Sequence, residues 1–195
     1  MKQRDRGPSR RERIVAAVAS VAGREGVAAL SAARVAAEAG CAKATVLYHF
    51  GELHVLWQAG TEAALAPWWA AQAEALAAPG DPRAALDAWL AASFGGRSSA
   101  LRLRAQLAGA PPDLPAAATL IAAERELEVA LERLLERGHR EHCWRSARPS
   151  VDATILRGLV DGLLVAALQA GDDAALPACH AVCRSAALDL LLRGG

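Results

Sequence analysis

The sequence has little of what builds sheets. Five Trp, two Phe and one Tyr make up only 4% of 195 residues, and β-branched residues are few. No window of four to eight positions alternates between apolar and polar as a half-buried strand does. No uncharged apolar run approaches the ~18 residues of a membrane span. The start, MKQRDRGPSRRER, lacks the apolar core of a secretory signal, so a cytoplasmic protein is expected. The four cysteines are scattered and make no disulfide framework. Also missing are a phosphate-binding Gly loop, a nucleophile elbow and carboxylates paired at a useful spacing, which argues against an enzyme.

What the chain does have is Ala and Leu. They dominate a composition that is 53% hydrophobic, and they lose least on entering a helix. The expected class is all-α, with about nine helices. Net charge is only +1, but residues 1 to 52 hold nine Lys/Arg against five Asp/Glu, while residues 53 to 195 hold thirteen against sixteen. The excess gathers at Lys2, Arg4, Arg6, Arg10, Arg11 and Arg13. A basic end on a near-neutral body suits a polyanion; a solvated tail is the other reading of the same residues.

Taken in order, residues 1 to 8 form a basic arm ending in Gly7-Pro8. Ser9 and Glu12 make a capping box for a first helix running to about Glu25, stopped by Gly26. Ser31 caps a second helix to about Ala39, Gly40 turns the chain, and residues 43 to 50 form a third. A fourth begins near Glu52 and is expected to kink or end at Pro67, a candidate joint. Asp81-Pro82 starts a helix to about Phe94, residues 98 to 108 form a shorter one, and a long one spans about Leu114 to Arg137, stopped by Gly138. Ser150 is expected to cap a helix to about Ala170, followed by another over about 174 to 193.

Two stretches stand out. Helix, tight turn and helix within residues 31 to 50, SAARVAAEAGCAKATVLYHF, is the pattern of a DNA-reading helix-turn-helix. TILRGLVDGLLVAAL, beginning at Thr154, is apolar on nearly every side and needs cover on two faces. A second copy of the chain is the economical cover, so a homodimer through the last two helices (about 150–170 and 174–193) is expected, with Gly158 and Gly162 allowing close approach.

Residues 10 to 56 resemble the DNA-binding domain of the tetracycline-repressor (TetR) family of bacterial regulators. Ile14, Ala17, Gly26, Ser31, Val35, Ala36, Ala39-Gly40, Thr45, His49, Phe50 and Leu56 carry the resemblance, over about a quarter of the chain. It implies a DNA-binding domain at 9–56, and at 57–195 a helical domain that dimerises through its final helices and binds a small effector that releases DNA. This chain has Ala42 where relatives place a Ser or Thr cap, Leu47 for a DNA-facing Tyr, Ala33 for an Arg and Leu53 for a Lys. Loss of the cap costs about 1 kcal/mol of helix stability.

By position on such a helix, Lys43, Ala44, Thr45 and Tyr48 would face the major groove, and Ser31, Arg34 and His49 would hold phosphates. Phe50 reads as core, and Leu47 is free to serve the inner face. In the body, Trp68, Trp69, Trp89, Phe94 and Trp144 either line an apolar effector pocket, with Arg104, Arg157 or Gln169 orienting the ligand, or are ordinary core. Arg157 and Asp161, four apart, can pair. His139, His142, Cys143, Cys179, His180 and Cys183 invite a zinc reading, but they match no zinc spacing, so no metal or other cofactor is expected. The expected function is a repressor that binds a near-palindromic operator as a dimer. The rival is a helical protein-interaction module, or an orphan regulator with weakened DNA binding and no effector.

Overall fold

The computed structural model describes residues 8–96, 98–145, 148–169 and 173–193. The basic arm, apart from Pro8, lies outside the described residues, as does Ala170. Nine α-helices run in order among the described residues: α1 Arg10–Glu25, α2 Ala32–Ala39, α3 Lys43–Phe50, α4 Leu53–Ala77, α5 Pro82–Phe94, α6 Ser98–Ala108, α7 Pro115–Arg140, α8 Pro149–Gln169 and α9 Leu176–Arg193. Two short 3-10 turns, Val27–Ala29 and Asp173–Ala175, complete the elements. No described residue is in a strand, and no helix is long and apolar enough to cross a membrane.

The chain divides by packing into two compact units, one of residues 1–66 with 99–120, the other of 67–98 with 121–195. This is a division by contact, and it falls ten residues later along α4 than the functional boundary drawn at 56/57; the α6 segment packs with the helix-turn-helix.

In the first unit, Ser9 and Glu12 close the capping box of α1, with Ser9 N donating to Glu12 Oε2 at 2.7 Å and Glu12 N donating to Ser9 Oγ at 3.2 Å. Ile14, Val18, Val21, Val35, Val46 and Leu56 form the buried core between α1, α2, α3 and α4. Gly60 has a packing role. A Cβ there would lie 2.3 Å from Val18 Cγ1, so only glycine lets α4 pass this close to α1. Gln106 of α6 accepts from the Val27 N–H at 2.7 Å, satisfying a donor between α1 and α2.

In the second unit, Leu86, Trp89, Leu90, Leu131, Leu135, Leu156, Leu164 and Leu191 are buried together with Ala187. Two expectations are corrected here and one is narrowed. Of the kink or end expected at Pro67 the end is excluded, because α4 runs through it to Ala77; the division into units falls at 66/67, at the candidate joint. Gly138 does not stop α7, which continues to Arg140. That glycine instead seats Trp144, whose ring would lie 1.9 Å from a Cβ at position 138. Finally, α8 begins at Pro149, inside which Ser150 already falls, so Ser150 is not the residue before the helix; Pro at a first turn sacrifices an N–H that has no helical partner anyway.

Candidate functional site

The helix-turn-helix forms where the sequence places it. Ser31 accepts from the Arg34 N–H at 3.1 Å and caps α2. Gly40 adopts the left-handed conformation (φ 64°, ψ 43°) that ends it, a conformation that favours glycine because it has no Cβ to clash. Ala42 occupies the N-cap of α3 in extended geometry, and no side chain caps that helix.

The outward face of α3 is set by what it buries. Val46 and Phe50, one turn apart, are the residues turned inward. Leu47 is 42% exposed, which corrects the inner-face role expected for it: Val46 fills that place, and the 3.6-residue period then swings Leu47 outward. Lys43, Ala44 and His49 are exposed, Thr45 is half-buried, and Tyr48 is 86% exposed with its ring edge-on to His49 at 5.4 Å. Phe50 is core, and the guanidinium of Arg11 lies over its ring at 5.0 Å, fastening α1 to α3 by a cation–π contact.

Arg34 is placed differently from the other basic candidates. Its Nε donates to Glu25 Oε2 at 2.9 Å, its Nη2 donates to Glu25 Oε1, and the same Nη2 reaches Glu38 Oε2 at 3.3 Å. Arg24 donates to both oxygens of Glu38 at 2.8 Å, and Ser20 Oγ donates to Glu38 Oε1 at 2.7 Å. This network joins α1 to α2. The hydrogen bonds from Arg24 and Ser20 hold the Glu38 carboxyl down at about 2, and those from Arg34 hold Glu25 below its usual value.

The candidate effector residues are spread over both units, Arg104 in the first and the others in the second. A groove of about 380 Å³ opens in the second unit between α5, α9 and Trp144, floored by Leu86, Leu90, Leu188 and Leu191. Arg184 forks onto Asp87 at its rim, with both bonds at 2.9 Å. Of the eight candidates only Trp144 borders this groove, and its Nε1 donates to Leu135 O at 2.8 Å. Trp68 is buried and donates to Ser93 O at 3.0 Å. Trp89 and Phe94 are buried, Trp69 is half-buried and Gln169 is exposed. Arg157 reaches Glu124 at 3.3 Å. Arg104 is buried in the first unit, among residues 99–120.

Sequence reasoning missed the polar residues Gln72 and Ser93, which are buried between α4 and α5, where Ser93 Oγ lies 3.0 Å from Gln72 Oε1. A lone Gln in an Ala-rich helix carries no signal of its own, apart from lying one turn after Trp68. Among the described residues no group of three or more His, Cys, Asp or Glu is placed to hold a metal ion. Burial pushes the Cys183 thiol up to about 11, so it is no ready thiolate.

No family model and no curated protein matches the sequence. Solved structures do match its fold. A TetR-family regulator from Thermus thermophilus superposes with a TM-score of 0.71 at 23% identity, over 96% of this chain and 98% of that one. A TetR regulator from Haloarcula marismortui gives 0.79 at 20% identity, over 94% and 98%. A transcriptional regulator from Saccharomonospora viridis, in complex with choline, gives 0.80 at 18% identity, over 90% and 93%. The chain therefore has the all-helical fold of TetR-type transcriptional regulators.

Proposed function

We propose that the chain is a DNA-binding transcriptional regulator, a repressor that grips a near-palindromic operator as a homodimer and lets go when its body takes up a small molecule. The observation that carries this reading is the outer face of α3. Ala44, Thr45 and Tyr48 stand on the side away from Val46 and Phe50, and the exposed Lys43 opens the helix at its N-terminus, on a helix buried by only two residues and free to enter a major groove. An 86%-exposed Tyr is a poor investment for folding and a good one for contact. Lys43 can donate to guanine, and the methyls of Ala44 and Thr45 can meet a thymine methyl. Ser31 and His49 flank this face as phosphate donors.

The dimer is supported by the far side of α8. Asp152, Leu156, Val160 and Leu164 are buried, whereas Val151, Ile155, Gly158, Gly162 and Ala166 are exposed along one stripe. A Cβ on Gly158 or Gly162 would meet nothing within 4 Å. Small residues one turn apart let another helix come close, and an isologous pairing would cover the stripe twice. Two recognition helices would then sit roughly 34 to 36 Å apart on DNA.

A salt-dependent gel shift on the DNA flanking the gene tests the reading. Retardation at low salt that weakens steeply as salt rises is expected. No retardation at low salt would favour the protein-interaction module, for which the exposed Leu47 is the supporting observation.

A further inference from the structure

The recognition helix is short of the groups that read bases by paired hydrogen bonds. α3 reads KATVLYHF and carries no Arg, Asn, Gln, Asp or Glu, the side chains that fork onto guanine or adenine or accept from cytosine. α2 adds only Arg34 and Glu38, and both are committed inside the protein. Arg34 donates to Glu25 Oε2 at 2.9 Å, and Glu38 accepts from Arg24 at 2.8 Å. On α3 Lys43 is the permanent cation, and it stands at the first position of the helix.

What this helix shows to solvent is largely apolar. Leu47 is 42% exposed and Tyr48 86%, and Ala44 is exposed as well. Ala44, Leu47 and Tyr48 are three and four positions apart, so their side chains are neighbours on the helix surface. Val46 and Phe50 hold the helix down from its buried side, which keeps this set in solvent. A leucine and a tyrosine left this open forgo much of the hydrophobic gain of burial until something covers them.

We propose that Leu47 is a specificity-determining residue: with Ala44 and Tyr48 it reads the 5-methyl groups of thymines in the major groove. Each half-site is then chosen chiefly by apolar contact, with a guanine placed under Lys43. The methyl is the apolar feature of the major-groove edge, and none of the other three bases carries one. The proposal rests on the regulator reading above and adds which bases that regulator selects. It parts from the interaction-module alternative, in which a protein would cover the same leucine.

Selection by the full-length protein from duplexes randomised over about 20 base pairs, two turns of DNA, supplies the probe. Selected half-sites are expected to hold neighbouring thymines and a guanine. Those thymines are then replaced singly by deoxyuridine, which removes the methyl and leaves every hydrogen-bonding group in place. Each contacted methyl should be worth about fourfold in affinity, the gain from burying one methyl-sized group. At one thymine of each half-site the loss should vanish in Leu47→Ala and persist in Leu47→Met, which keeps an apolar side chain of similar length. The deoxyuridine series on the unaltered protein does not depend on how either variant folds.

A selected duplex that binds equally well with deoxyuridine overturns this proposal and leaves the regulator reading standing. Half-sites without thymine do the same. So does a deoxyuridine loss that Leu47→Ala leaves unchanged at every thymine, which would assign the effect to DNA shape or to the residues beside Leu47. Failure to enrich any duplex at low salt overturns both readings together and gives Leu47 to a protein partner.

Discussion

Arg34 of α2 donates through Nε to the carboxylate of Glu25 at the end of α1, at 2.9 Å, and shares Glu38 with Arg24. A side chain expected on a phosphate is thereby spent within the protein. The geometry favours a role in positioning: the pair fixes the angle between α1 and α2, and so the presentation of α3. Arg34→Ala is expected to lower DNA affinity while leaving the slope of log affinity against log salt unchanged. Lys43→Ala, which removes a guanine donor, should cost about 1–3 kcal/mol and relax the sequence preference, whereas one lost phosphate contact flattens that slope by about 0.9. An equal flattening by Arg34→Ala would return Arg34 to the phosphate backbone.

The same network makes the head sensitive to acid. Glu38 titrates at about 2 in the folded chain because Arg24 and Ser20 donate to it, against roughly 4.3 for an unfolded Glu. A folded value below the unfolded one gives stability that is complete above the unfolded value and fades as pH falls through the folded one. The melting-temperature gap between wild type and Glu38→Gln should therefore be full at neutral pH and narrow from about pH 4 toward pH 2. A gap that stays constant over that range would remove the ion pairs as its source.

Ala42 leaves α3 without a side-chain cap, although its backbone already has cap geometry (φ −74°, ψ 147°). Ala42→Ser is expected to gain about 1 kcal/mol in urea unfolding, since the hydroxyl can accept from a free N–H of the first turn. Tyr48→Ala, by contrast, should leave unfolding unchanged and weaken DNA binding, because the ring is almost wholly in solvent.

Two glycines should respond in opposite ways. Gly60→Ala drives a Cβ into Val18 and is expected to destabilise by about 1–3 kcal/mol, more than the ~1 kcal/mol that alanine gains in helix propensity. At Gly158 there is open space within the protomer. Gly158→Leu should therefore fold normally yet yield a monomer by light scattering, with DNA affinity falling in step. A Gly158→Leu protein that stays dimeric would place the dimer elsewhere.

Removing residues 1–8 is expected to weaken DNA binding and flatten its salt dependence, since that arm holds three of the basic residues gathered at the start of the chain, Lys2, Arg4 and Arg6. Unchanged affinity would show that α3 and its flanks suffice.

Much of the fold was legible because it is local. Ser9 with Glu12, Ser31, Gly40 and Asp81-Pro82 set helix ends through bonds spanning only a few residues, and the structure has each of them. Gly138 misled for the opposite reason. Whether a glycine ends a helix depends on what packs against it, and Trp144 on Gly138 is decided by tertiary contact. On α3, a single shift of phase, with Val46 in place of Leu47 on the inner side, could not be read from a run in which both are apolar.

By itself the sequence determined the all-helical class, the helix-turn-helix and the places where most helices begin, because propensity and capping act within a turn or two. Only the tertiary structure decided which charges are free. It drew Arg34 into the carboxylates of Glu25 and Glu38, left Tyr48 in solvent, and buried Gln72 and Trp89. Pairing and burial join residues far apart in the chain, so no local pattern records them.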